Sequence, residues 1–303
     1  MVLPESTRAI YPFQSHYLTL SSGHKMHYID EGPEDGEVLV FAHGYPTWSF
    51  AFRAFVVYYA ALGYRCLAMD HVGYGLSDKP AERRYHTLPR HIDNLTELFD
   101  ALALHDITFV VENWGGPLVL GYAIHHLESI KRLAVINSWV FQDTYANRLH
   151  PVIRWVTTPG VGELVFGTLN FVLAAGIQRW TQRTLSSTVL QAYKAPFRDS
   201  RSRAALVQFP RMINTTPQHP SAEFMREIES ALGNLRHIPT LVIWGEDDPL
   251  LTPDVAQHWK TMVPRVKGPM VIANASHLLS EDAPEQVIQH LDHFLELDGG
   301  HTA

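Results

Sequence analysis

A chain of 303 residues with 46% hydrophobic and 18% charged side chains has ample apolar material for one large core with an inserted subdomain, and this composition excludes disorder. The formal net charge is -7 with Lys and Arg scattered, so no basic face is offered to a phosphate backbone or an anionic lipid, and nucleic acid is excluded as a partner. Cys66 is the only cysteine and cannot form an internal disulfide, and the first residues lack a basic stretch followed by an apolar one; a soluble cytoplasmic protein is expected.

In chain order, short β-rich runs alternate with helical patterns, which predicts an α/β protein with a mostly parallel sheet covered by helices. Eight strands are expected, at 16–20, 25–30, 38–43, 65–69, 107–112, 133–137, 240–244 and 270–273. The first two flank Ser21-Ser22-Gly23-His24 and read as an antiparallel hairpin. Cys66 falls inside the fourth and reads as a small core residue. Between about Ser138 and Leu235 the strand rhythm stops, and aromatic residues recur at helical spacing: Trp139, Phe141, Trp155, Phe166, Phe171, Trp180, Phe197 and Phe209. Most of these should pack this block onto the rest, and a few should line an apolar pocket between the two parts. Residues 161–177 are apolar but shorter than the ~20 residues of a bilayer span and broken by Glu163 and Asn170, so they read as part of a lid. The expected division is a core of 1–137 and 236–303 with a helical cap of 138–235.

The run Phe109-Val110-Val111-Glu112-Asn113-Trp114-Gly115-Gly116-Pro117 is an apolar strand, a tight turn and a helix start, the spacing of a nucleophile elbow. Gly115 keeps the small residue required downstream, while Val111 stands where a glycine is usual upstream. Beyond the elbow, Trp244-Gly245-Glu246-Asp247-Asp248 ends the seventh strand, and Asn274-Ala275-Ser276-His277 follows the eighth. Asp282-Ala283-Pro284-Glu285 then has the pattern of a helix capping box. Elbow first, acid next and histidine last is the α/β-hydrolase order.

These motifs resemble those of haloalkane dehalogenases and their relatives, whose elbow reads Val-x-Asp-Trp-Gly-Gly. His43-Gly44-Tyr45-Pro46-Thr47-Trp48, Asp70-His71-Val72-Gly73-Tyr74-Gly75 and Tyr193-Lys194-Ala195-Pro196-Phe197 match as well, and the resemblance runs roughly from Tyr11 to Leu297. It implies the α/β-hydrolase fold, with an elbow aspartate that displaces halide from carbon to form an ester, which a histidine-activated water then hydrolyses. It also implies Asp248 as the acid that orients His277, with Glu246 and Asp247 left as solvated loop residues.

This chain departs from the family at the nucleophile. Asn113 is a neutral amide and a weak nucleophile, and neighbouring Glu112 is not an obvious substitute because successive strand side chains point to opposite faces. Three readings stay open: an engineered Asp-to-Asn change, a natural relative using the pocket for positioning, or a binder without chemistry. The backbone N–H groups of Tyr45 and Trp114 would form an oxyanion hole. Tyr45 stands where dehalogenases carry Asn or Glu for halide, and is similar there to epoxide hydrolases.

The expected function is a haloalkane dehalogenase-like enzyme acting on a hydrophobic small molecule. Asn113, Asp248 and His277 are expected at the reacting centre, with Tyr45, Trp114, Trp139 and Phe141 around the substrate. The alternatives are a non-hydrolytic enzyme of natural-product biosynthesis with His277 as acid or base, and a ligand-binding protein. Dehalogenation, epoxide opening and β-lactone decarboxylation are the candidate reactions; epoxide opening would need cap tyrosines, for which Tyr145 and Tyr193 are available. His43 and Trp48 read as turn packing, and Asp70, Ser77 and Asp78 as turn and capping residues. No metal-ligand cluster or dinucleotide loop is visible, so no cofactor is expected.

Overall fold

The computed structural model describes residues 3–141, 157–214 and 216–298. Eight strands form one sheet in the order β1-β2-β4-β3-β5-β6-β7-β8. They are β1 (His16–Thr19), β2 (Lys25–Glu31), β3 (Val38–Ala42), β4 (Arg65–Met69), β5 (Ile107–Glu112), β6 (Ile130–Ile136), β7 (Thr240–Gly245) and β8 (Val266–Ile272). β1 pairs antiparallel with β2, and β2 antiparallel with β4; every later pairing is parallel. Central strands β5 and β7 are buried along their whole length, as expected of unalternating apolar runs with both faces covered.

Two strands begin earlier than their sequence suggests. β6 starts at Ile130 because Arg132, which looks polar enough to end a strand, is buried against Glu37. β8 starts at Val266 and runs through Gly268-Pro269, tolerated where the register against β7 shifts on an edge strand.

Between β6 and β7 the described residues form helices and turns, with no strand. Two π-helical turns, Glu163–Thr168 and Val172–Gly176, are followed by the helices Ser187–Lys194, Ala204–Gln208 and Ala222–Ala231. Asn170, between the π turns, sits at positive φ. Among the described residues no helix is long and apolar enough to cross a membrane.

Polar contacts tie this insertion to the segment after β8. The Tyr193 hydroxyl donates to Glu281 over 2.5 Å, and the same carboxylate takes a two-pronged bond from Arg53. Asp282 corrects the capping-box expectation. Its carboxylate accepts from the backbone N–H of Gln182, Arg183 and Ser276, so it clamps the insertion onto the loop after β8 instead of capping the following helix. The tight spacing of Asp282 and Glu285 carries no sign of these distant donors.

Cys66 is fully buried, and burial pushes its thiol up, consistent with a core residue.

Candidate active site

The elbow joins β5 to the helix Gly115–Ala123, and Asn113 at its tip has φ 49°, in the left-handed region that asparagine tolerates better than most residues. The close approaches fall on glycines downstream and across the turn. A Cβ on Gly115 would lie 2.1 Å from the Ala42 carbonyl oxygen, and one on Gly44 would lie 2.4 Å from the Asn113 Cβ. Val111, where a glycine is usual, is buried within β5 and is not among the atoms nearest to a Cβ on either glycine. The Ser138 hydroxyl and the Gly116 N–H both donate to the Asn113 carbonyl and fix the turn.

The Asn113 side chain is held from two sides. Its Oδ1 accepts the Tyr45 N–H over 2.9 Å, and its Nδ2 donates to His277 Nε2 over 2.9 Å. Turning the amide over would set its NH2 against the Tyr45 N–H, so the backbone donor selects the orientation. His277 Nδ1 donates to Asp248 Oδ2 over 2.7 Å, and Asp248 Oδ1 accepts the N–H groups of Leu250 and Leu251. A neutral imidazole fits this chain of bonds: its Nδ1–H serves Asp248 and its Nε2 lone pair receives the amide. Burial pushes the His277 imidazole down, Asp248 with Glu112 behind pushes it up, and the net direction is up. Protonating Nε2 would break the bond from Asn113, since both groups would then be donors.

Asn137, whose sequence context does not single it out, braces the segments that carry Asp248 and His277. It follows β6 at φ 39°, donates Nδ2 to the carbonyls of Ser276 and His277, and accepts the Gly245 N–H. An asparagine directly after a buried strand is a weak hint of such a role, and the partners lie more than a hundred residues away.

A cavity of about 490 Å3 opens above the elbow. Tyr45, Asn113 and Trp114 form its floor, Phe166, Phe171, Trp180, Ile213 and Leu250 give it apolar walls, and Gln178, Arg179 and Gln182 add polar groups. His277 is fully buried and is not among the lining residues; it meets the cavity through Asn113, with the Trp180 ring edge-on 6.3 Å away. Of the three residues Asn113, Asp248 and His277, only Asn113 lines the cavity, and Asp247, which accepts from Gln182, lines it too.

The aromatic residues of the insertion divide into two sets. Phe166, Phe171 and Trp180 line the cavity. Trp139 and Phe141, expected around the substrate, do not. Trp139 stacks edge-on behind Trp114 at 5.1 Å, and Phe141 packs on His258 and Trp259. Phe197 and Phe209 pack on Tyr74. Trp155 and Tyr145 lie outside the described residues. Tyr193, the other candidate ring-opening acid, is buried with its hydroxyl on Glu281 and is not among the cavity-lining residues.

Tyr45 has its own hydroxyl engaged with the Leu206 carbonyl at 3.1 Å, so the side chain that replaces the dehalogenase Asn or Glu spends its donor on the insertion. His43 and Asp70 behave as turn residues. The His43 ring bridges Gly44 and His71, burial pushing it down to about 4, while Asp70 accepts from His27, Ser49 and Leu76. Among the described residues no cluster of His, Cys, Asp or Glu is arranged to hold a metal ion.

Elbow, acid and histidine therefore meet at the carboxyl ends of β5, β7 and β8, and a model of the alpha/beta hydrolase fold matches residues 37–284. The chain belongs to the α/β-hydrolase fold family. Within that family it is 34% identical over 291 residues to a cis-3-alkyl-4-alkyloxetan-2-one decarboxylase from Shewanella oneidensis, covering 94% of this chain and 89% of the relative. It is 33% identical over 293 residues to a haloalkane dehalogenase from Mycobacterium marinum, covering 93% of each. The crystal structure of haloalkane dehalogenase DbeA from Bradyrhizobium elkani shares the fold at TM-score 0.86 and 24% identity, over 95% of this chain and 99% of that one. This α/β hydrolase thus sits in the branch of haloalkane dehalogenases and oxetanone decarboxylases.

Proposed function

We propose that the chain is an enzyme that breaks a strained, polar ring carried by an apolar small molecule, an oxetan-2-one, without forming an ester on residue 113. The substrate occupies the cavity between a core of 1–137 and 236–303 and a cap of 138–235. The observation that carries this reading is the amide of Asn113, pinned between the Tyr45 N–H and His277. An amide offers two hydrogens and two lone pairs; one of each is taken, which leaves one donor and one acceptor for a bound ring. Loss of carbon dioxide from an oxetan-2-one gives an alkene and consumes no water, so an uncharged residue that holds the ring oxygens is compatible with the overall reaction. Dehalogenation is a poorer fit, because it needs an anionic nucleophile at the elbow and a second halide donor, and the Tyr45 hydroxyl is already engaged.

On binding, the ring displaces the amide from His277 Nε2. The freed Nε2 takes up a proton from solvent, and the imidazolium, balanced by Asp248, donates a hydrogen bond to the ring oxygen. The ring's alkyl C–O bond and the C–C bond to the carbonyl carbon break, carbon dioxide leaves with the alkene, and the proton stays on Nε2. Aromatic walls exclude water, and the geometry supplies orientation.

The test is to incubate the chain, and its Asn113→Asp variant, with a dialkyl oxetan-2-one and with a bromoalkane, following alkene, halide and intact protein mass. The chain itself should yield alkene with no covalent adduct and release no halide, and the Asp variant should become alkylated by the bromoalkane. Halide release or an alkyl adduct on protein whose mass confirms the amide at 113 would overturn the reading. So would failure of both forms on the lactone.

A further inference from the structure

Glu112 ends β5 one residue before Asn113 and is fully buried. Its two oxygens accept from the Ser280 N–H at 3.1 Å and the Ser280 hydroxyl at 2.9 Å. Among the described residues no cation touches it. Arg53, which lies near, is bound two-pronged to Glu281. The charged and titratable groups facing Glu112 are His277 from the loop after β8, Glu281 from the helix Leu279–Asp282, and Tyr193 from the insertion, itself donating to Glu281. A buried carboxylate with one serine as its donor is costly, and such groups persist where a neighbouring charge uses them.

His277 is that neighbour. Burial pushes Glu112 up to about 7, Ser280 and His277 pull it down, and Glu112 in turn pushes His277 up. The elbow of this chain has an amide where an acid would place a negative charge beside Nε2. The acid one residue earlier binds through both oxygens to Ser280, three residues beyond that histidine, while Asn113 beside it bonds His277, so the two segments meet at both positions.

We propose that Glu112 is a positioning residue that supplies the negative charge which position 113 lacks, and that it sets the protonation of His277 through the elbow. As His277 takes up a proton, Glu112 is driven towards its ionised form, so the two titrate as a linked pair. Restoring an acid at 113 while Glu112 remains would put two carboxylates around one imidazole, and each would raise the other.

Nitrogen-15 NMR titration of the His277 ring tests this without any substrate, so its failure is distinguishable from failure of the oxetan-2-one reading. Glu112→Gln keeps the shape and an acceptor for Ser280, and should lower the His277 pKa by about one unit. The double variant Glu112→Gln with Asn113→Asp should return it to at least the parent value. Ser280→Ala removes one donor from the carboxylate and should move His277 down by a smaller amount. If His277 titrates as in the parent, within about 0.2 unit, in both the Glu112→Gln and Ser280→Ala proteins, the proposal fails. Should Glu112→Gln not fold, the Ser280→Ala titration decides alone.

Discussion

The tip of the elbow and His277 meet across a 2.9 Å hydrogen bond, yet the two segments are held in different ways. The histidine loop is fixed by charged and polar side chains: Asp248 on the ring, Asn137 on the Ser276 and His277 carbonyls, Asp282 on the Ser276 N–H. The elbow is fixed by shape, with Gly44 and Gly115 letting backbones approach and Ser138 anchoring the turn carbonyl. Shape does not depend on the charge of residue 113. The turn contacts made by Gly44, Gly115 and Ser138 are therefore compatible with either aspartate or asparagine at the tip.

The comparison breaks hardest at the imidazole. His277→Ala should lower turnover of an accepted substrate by roughly 10²- to 10⁴-fold, the usual contribution of a positioned acid or base, while ligand affinity stays near the parent value. Steady-state kinetics beside equilibrium binding checks this, and turnover equal to the parent would remove His277 from the chemistry. Asn137→Ala should weaken the histidine loop without touching the elbow. It deletes two donors and one acceptor inside the fold, so about 2–4 kcal/mol of stability should be lost in urea unfolding, with the rate falling too. A change below about 0.5 kcal/mol would show that the loop is held by other means.

A smaller effect reads the charge of Glu112 and its link to His277. Its carboxyl is raised by burial from 4.5 to about 7, so the folded protein holds this proton more tightly than the unfolded chain does. That contribution favours folding at low pH and is lost as pH rises from 4.5 through about 7. His43, pushed down to about 4 by burial, acts in the opposite sense over the range from 6.5 down to 4, so the parent's own profile mixes the two. Comparing the variant with the parent removes His43 and leaves Glu112 together with the part of the His277 shift that Glu112 causes. The Tm of Glu112→Gln relative to the parent should be higher at pH 8 than at pH 5 by about 2–4 °C. A difference independent of pH would mean that Glu112 does not ionise in this range.

Much of this frame could be read from the residues alone. β4 and β5 begin and end where their apolar runs do, and the order of elbow, acid and histidine picked Asp248 and His277 out of many acids and 18 histidines. What stayed hidden depends on distant partners. Arg132 reads as a strand breaker until Glu37 is seen beside it. Asp282 reads as a cap until Gln182 and Arg183 arrive from the insertion. Trp139 and Trp180 are equally aromatic in sequence, but one backs Trp114 while the other walls the cavity. That His277 sits behind Asn113 was also beyond reach, because it follows from the side-chain geometry at 113 and not from the spacing.

Tyr45 supplies the smallest test, and it separates the two halves of one residue. Its N–H is part of the elbow, bonded to Asn113 Oδ1, and its hydroxyl belongs to the insertion, donating to the Leu206 carbonyl. Tyr45→Phe keeps the N–H and the ring on the cavity floor and deletes only the outer bond. Stability should fall by about 0.5–1.5 kcal/mol, the net value of one hydrogen bond, and turnover should change by less than a factor of about three. If the hydroxyl instead served as a donor to the reacting group, the loss would be concentrated in turnover and reach about 10²-fold with little change in unfolding. Unfolding and kinetics measured on one preparation decide between these, because an anchoring role moves the first and a reacting role the second.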